Sequence, residues 1–188
     1  MLRSLSSLAL LPGCLLWRGG EDPCAKDRTW IIASHADVSR YAGCKVAGEI
    51  RIETTPIGGT EEIELAALVS VGGAITVRGN HALHGLYLPR LERAARIDVA
   101  ANDELTTLAV PRLASVTGGF VVTDNHDLEL IAAEELVSVG KELVISGQPK
   151  LTLLEMGKLA HVESLRLDAN PGLPPEVVEQ LRAKTAIP

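Results

Sequence analysis

Aliphatic and polar positions recur in this chain at fixed offsets from a set of side-chain amides. Asn80, Asn102, Asn125, Gln148 and Asn170 follow one another at steps of 22 or 23 residues. Five residues before each stands Ile75, Ile97, Phe120, Leu143 or Leu165, and three before stands Val77, Val99, Val122, Ile145 or Leu167. Three after come Leu83, Leu105, Leu128, Leu151 and Leu173; six after come Leu86, Leu108, Ile131 and Leu154. Eleven after come Leu91, Leu113, Leu136 and Leu159, and fourteen after come Ala94, Val116, Val139 and Val162. The alternation that ends at the amide has period two, the mark of a strand with one buried face. An earlier, looser copy places Ile50 and Ile52 in the strand positions and Thr55 in the amide position. The polar insertion TPIGGTEE then intervenes before Leu65, Leu68 and Val71 rejoin the columns.

Self-similarity at this period predicts a β-solenoid, mainly β, with one coil per unit of 22–23 residues. Equivalent residues stack about 4.8 Å apart, the spacing of neighbouring strands. One coil cannot bury its own apolar face, so neighbours must stack. Each coil must bend out of its strand, and a buried bend leaves backbone N–H and C=O groups without partners. An inward Asn supplies a donor and an acceptor. Asn80, Asn102, Asn125 and Asn170 are expected to form a ladder, with Gln148 as a longer-reaching substitute whose coil is locally distorted. The open ends need caps. NPGLPPEVVEQLRAKT predicts a helix from Pro174 to Lys184 with Val177, Val178 and Leu181 inward. SHADVSRYAGC predicts a short N-terminal helix, with Ser34 and Asp37 in capping-box spacing.

Composition fits a folded domain: 46% hydrophobic, 22% charged and a net charge of −6. The acidic balance argues against a nucleic-acid surface. At 3% aromatic content, stacking platforms are scarce. The start, MLRSLSSLALLPGC, has one positive charge and a short apolar run, as a secretory signal does. Leu11-Pro12-Gly13-Cys14 resembles a bacterial lipobox, with Pro12 a departure from it. Residues 1–13 are therefore expected to be a signal peptide, Cys14 the lipidated residue and 14–23 a short linker. If Cys14 carries lipid, Cys24 and Cys44 remain as a pair, which suits an oxidising compartment. Three reduced, buried thiols are the alternative.

The segment from Cys24 through Gly43-Cys44 to Ile52, with the later L-x-x-V…I-x-V-x-x-N-x-x-L units, resembles receptor L domains. These occur in insulin- and EGF-receptor ectodomains, fungal cell-wall proteins and bacterial envelope proteins. The resemblance spans residues 24–185, leaving 186–188 as a tail. Ordinary leucine-rich repeats place Leu two residues after Asn, whereas here it stands three after. The resemblance implies a right-handed solenoid whose N-terminal cap is pinned by a disulfide, and a binding or structural role without catalysis. The insertion after Thr55 and the lack of a following Cys-rich module depart from the receptors. An exported, outer-membrane or cell-surface lipoprotein is the expectation, monomeric, held to the membrane by its lipid, with a protein or glycan partner at the envelope.

Outward strand positions supply the candidate binding face: Thr76 and Arg78; Asp98 and Ala100; Val121 and Thr123; Val144 and Ser146; Arg166 and Asp168. An apolar centre with a charged rim resembles a modest protein-binding patch, and a sheet face takes part in ligand binding in related receptor L domains. Exposed β-branched residues also simply suit strands. His81 and His126 follow ladder residues two coils apart with Asp103 between, about 9.6 Å of rise and too far to share one zinc ion. HALH at His81 and His84 lacks the glutamate of a zinc-protease helix. No metal, cofactor or catalytic residue is expected, since nucleophile motifs and phosphate-binding glycine loops are missing. Two other readings stand beside the binding module. One is a purely structural or adhesive surface protein. The other is a polysaccharide-acting β-helix using Asp98 and Asp168, which are about 14 Å apart by rise, beyond paired glycosidase carboxylates.

Overall fold

The structure is a computed structural model that describes residues 22–53 and 61–185. The signal segment 1–13, Cys14, Thr55 with most of its insertion, and the tail 186–188 lie outside the described residues.

The first strand and helix are β1 (Thr29–Ile32) and α1 (His35–Tyr41). Then come β2 (Val46–Ala47), β3 (Glu49–Ile52), β4 (Glu62–Glu64), β5 (Ser70–Arg78) and β6 (Gly85–Tyr87). Next are β7 (Arg93–Ala100), β8 (Thr107–Ala109), β9 (Ser115–Val116), β10 (Phe120–Thr123) and β11 (Leu130–Ala132). The chain closes with β12 (Ser138–Ser146), β13 (Leu153–Glu155), β14 (His161–Asp168) and α2 (Pro175–Thr185).

All pairings are parallel. A nine-stranded sheet runs β1-β3-β5-β7-β10-β12-β14, with β2 and β9 beside it, and a five-stranded sheet runs β13-β11-β8-β6-β4. The molecule is a β-solenoid of about 6 turns of roughly 23 residues. The columns read from the sequence are the registers of the sheets. Ile50, Ile75, Ile97, Phe120, Leu143 and Leu165 pair in series. The column six after the amide, Leu86, Leu108, Ile131 and Leu154, is the central row of the second sheet. These rows face inward and form one continuous core with the column leucines.

The amides join the turns. Asn80, Asn102, Asn125 and Gln148 are fully buried, while Asn170, at the last turn, is half-buried. The Asn102 carboxamide oxygen accepts from the Asn80 backbone N–H at 3.1 Å and from the Asn80 side chain at 2.8 Å. Its own Nδ2 donates to the Val77 carbonyl at 3.1 Å and to Asn125 Oδ1 at 2.9 Å. Asn125 Oδ1 accepts from the Asn102 N–H, Gln148 Oε1 from the Asn125 N–H, and Asn170 Oδ1 from the Gln148 N–H. Phe120 to Thr123 pair in step with Leu143 to Ser146; β12 shifts register against β14 between Val139 and Glu142, but β5 does the same against β7 between Val71 and Ala74, so this irregularity is not particular to the Gln148 coil. The extra methylene alters the donor instead. Gln148 Nε2 turns back to the Ser146 carbonyl of its own strand at 2.9 Å, whereas Asn170 reaches a carbonyl of the preceding coil and Asn125 divides its amide between the Val99 carbonyl there and the Thr123 carbonyl of its own strand.

The residue before each amide makes the bend. Gly79, Ala101, Asp124, Gly147 and Ala169 all have positive φ, between 54° and 72°. Three of them carry a side chain, which disfavours that conformation. The repeated inward amide fixes the backbone there.

Both ends are capped. Trp30 stacks on Tyr41 of α1, with centroids 4.6 Å apart, and both rings are buried. Cys24 and Cys44 form a disulfide that ties the segment before β1 to the loop after α1. Ser34 is the N-cap of α1 by backbone conformation, but its hydroxyl does not bond a helix N–H. The hydroxyl donates to Asp37 Oδ2 at 2.8 Å, and that carboxylate also accepts from the Ala33 N–H. Neither half of the expected capping box is built, because the carboxylate takes the N–H of Ala33, one residue before the N-cap, and the hydroxyl takes the carboxylate. At the other end α2 begins at Pro175, one residue after the expected start, and buries Leu181 with Val177 and Val178 packed on the core.

Candidate functional site

The outer face of the long sheet is built by the residues that alternate with the inward columns. One row runs Thr76, Asp98, Val121, Val144, Arg166. A second runs Arg78, Ala100, Thr123, Ser146, Asp168. A third, not singled out from the sequence, contains Arg96 on β7 and Glu142 on β12, separated by Gly119.

These rows are more tightly paired than alternation alone suggests. Asp98 is only 6% exposed and Ser146 8%; both were expected to stand out in solvent. Asp98 is covered by arginines: Arg78 Nε donates to its Oδ1 at 3.2 Å, and Arg96 Nε lies 3.8 Å from Oδ2. Hydrogen bonding and charge attraction to Asp98 raise the Arg78 guanidinium above its ordinary value. Arg96 Nη1 also reaches Glu142 Oε1 at 3.1 Å. At the C-terminal edge Arg166 Nε meets Asp168 Oδ1 at 2.7 Å, which holds the Asp168 carboxyl below its usual range. At the N-terminal edge Arg51 pairs with Glu49 at 2.9 Å. Val121, Val144, Thr76 and Thr123 are half-buried between these pairs. The face thus has an apolar centre and a rim of mutually neutralised charges. Arg51–Glu49, Arg96–Asp98 and Arg166–Asp168 are same-face pairs two residues apart on one strand, whereas Arg78–Asp98 joins neighbouring strands and Arg96–Glu142 spans 46 residues of sequence, with no local pattern to mark them.

The turn column carries a second cluster. His81 Nδ1 lies 3.0 Å from Asp103 Oδ2 and His126 Nδ1 lies 3.3 Å from Asp103 Oδ1. These bonds, His126 first, lower the Asp103 carboxyl below its ordinary value. Each histidine takes a different oxygen, so the carboxylate spaces the rings apart instead of gathering them. No group of three metal-ligating side chains occurs among the described residues. A shallow open depression of about 470 Å³ lies on another side, between Arg93, Arg112, Ser115 and Glu135. No described helix is long and apolar enough to cross a membrane.

The fold and face together define a parallel β-solenoid with a charge-balanced sheet surface. Comparisons with protein families, with curated proteins and with solved structures found no match.

Proposed function

We propose that the chain is a non-catalytic binding module that presents the outer face of its long sheet to a macromolecular partner at the cell envelope. The observation that carries this reading is the central pair Val121 and Val144, adjacent in register and half-buried. They are flanked by ion pairs that leave little net charge to desolvate. Apolar centres ringed by satisfied polar groups are how protein-binding patches are built. Export and a lipid on Cys14, as the lipobox-like start suggests, would place the module at a membrane surface. The likeness of its repeats to receptor L domains is in keeping with a binding role.

The polysaccharide-cleaving reading is weaker. Asp98 is sheltered by two arginines, and it stands three strands from Asp168 along the sheet order, too far for a carboxylate pair acting on one bond.

The test is capture of envelope partners by the wild type and by the double variant Val121→Asp, Val144→Asp. A saturable interaction lost in the variant, with its melting transition retained, supports the reading. An interaction that survives the double change overturns the assignment of the face. Fatty-acid labelling of wild type and Cys14→Ser in a host with lipoprotein processing tests the anchor. Equal labelling of both, or none of either, removes it.

A further inference from the structure

Two rows of the outer face, those of Gly119 and Thr123, have a charge symmetry that the individual ion pairs conceal; in the row of Val121 the same symmetry sets Asp98 against Val144 and Arg166 against Thr76. Strand β10 contributes Gly119 beside it and Val121 and Thr123 within it, and no charge. In the row of Gly119, one strand to either side, stand Arg96 and Glu142. In the row of Thr123, two strands to either side, stand Arg78 and Asp168. Consider a two-fold axis lying on the face along β10. It keeps each row and exchanges the strands on its two sides. Arg96 then opposes Glu142 of a second copy, and Arg78 opposes Asp168 of that copy. Gly119, Val121 and Thr123 meet their own equivalents at the axis, where only small or neutral side chains fit. An axis along β7 would set Asp98 and Arg96 against themselves, and one along β12 would set Glu142 against itself. Opposed faces of two sheets pack about 10 Å apart, a gap that arginine side chains span.

We propose that this face docks a second copy of the same chain about that axis. The proposal names the partner of the face assigned above and rests on that assignment. It departs from the monomer expected from the sequence, because the matched charges come together only once the strands are in register. Isologous contact of this kind is self-complementary by construction. Five strands at about 4.8 Å spacing give a face on the order of 500 Å² per copy. That is smaller than a permanent interface, so the dimer is reversible. Arg78, Arg96, Glu142 and Asp168 side chains are 58%, 40%, 45% and 54% exposed, free to exchange a neighbour in the sheet for one across the axis.

The experiment is sedimentation of the full chain over a concentration series reaching about 1 mM, a range suited to a small interface. It compares wild type, Arg78→Glu, Asp168→Arg and an equimolar mixture of the two variants. Each variant sets like charges against each other in its own dimer, and the mixture restores opposite charges at both contacts. The expected result is a reversible wild-type dimer, at least about tenfold weaker association of each variant, and recovery on mixing. Circular dichroism and melting of each variant confirm the fold. A wild type that stays monomeric overturns the dimer; so does a dimer indifferent to both reversals, or a mixture no tighter than its parts. If wild type is monomeric but a foreign partner is lost on Val121→Asp, Val144→Asp, the dimer fails and the binding face stands. If neither self-association nor capture depends on the face, both fall.

Discussion

Arg96 reaches Glu142 across the bare Cα of Gly119, with Nη1 3.1 Å from Oε1, although the two side chains belong to strands two coils apart. A Cβ on Gly119 would meet only the flexible ends of those two side chains. Gly140 is different, because a Cβ there would run into the backbone carbonyl of Thr117. Gly119→Ala should displace the bridge and cost under about 1 kcal/mol, as a surface change does. Gly140→Ala should cost about 2–3 kcal/mol by forcing the backbones apart. Denaturant unfolding of the two variants measures this. Equal costs would mean that the bridge holds the coils together more than their backbone spacing does.

The ladder makes a graded prediction. Asn102 has neighbours above and below, and Asn102→Ala removes the bonds its side chain makes to the Asn80 N–H and amide, to the Val77 carbonyl and to Asn125. Its expected cost is about 1–3 kcal/mol for each group stranded. Asn170→Ala, at the half-buried last turn, should cost less, because water reaches the groups it exposes. Chemical denaturation of both variants orders them, and a larger loss at Asn170 would refute the account.

The bend before each amide can be relaxed. Ala169→Gly and Ala101→Gly remove a Cβ from a residue at φ 55° and 54°. After the entropy glycine adds to the unfolded chain, each should stabilise by about 0.5–1 kcal/mol. In the reverse direction Gly79→Ala and Gly147→Ala share the backbone cost. Only the second also meets a neighbour, the Asp124 carboxylate and backbone, so it should be the more damaging. Midpoints at unchanged denaturant slope test all four.

The Asp103 carboxyl, hydrogen-bonded to His126 and His81, is held below the ordinary aspartate value of 3.8. A carboxylate depressed in the folded state lends stability above its unfolded pKa and loses it as pH falls through the folded one. The difference in stability between wild type and Asp103→Asn should therefore be present near neutrality and fade below pH 3.8. Carboxyl-carbon shifts followed by NMR give the midpoint directly. A midpoint at or above 3.8 for Asp103 would refute the two-histidine clamp.

Reduction of Cys24–Cys44 releases the N-terminal cap. The bond closes a loop with a sequence separation of 20, so its loss should destabilise by about 3 kcal/mol. Trp30, stacked on Tyr41 within that loop, should report the change as a fluorescence transition ahead of global unfolding. A coincident transition would show that the cap and the coils unfold as one unit.

The coils were readable because burial repeats: the inward residues of one turn must match those of the next, and a period of 22–23 residues is the result. The ladder was readable for the same reason. The left-handed bends were not, since Ala101, Asp124 and Ala169 carry no glycine to mark them. Nor was the cover over Asp98, which depends on the reach of Arg78 from the neighbouring strand and of Arg96 along its own. The outward rows could be named from alternation, but their exposure could not, because neighbours 20 to 46 residues away in sequence decide it. The Ser34–Asp37 spacing gave the helix start and missed which group the hydroxyl would choose.

The shared positions of the amides have a consequence for how long such a molecule can be. Because each turn satisfies its bend through the turn after it, the stack has no preferred number of turns, only a first one and a last one. The excision of Asp103–Asn125 would leave Asn102 facing Gln148 and every column still continuous. Length is set by the two helices that close the ends, and the distance between those ends changes by one strand spacing at a time.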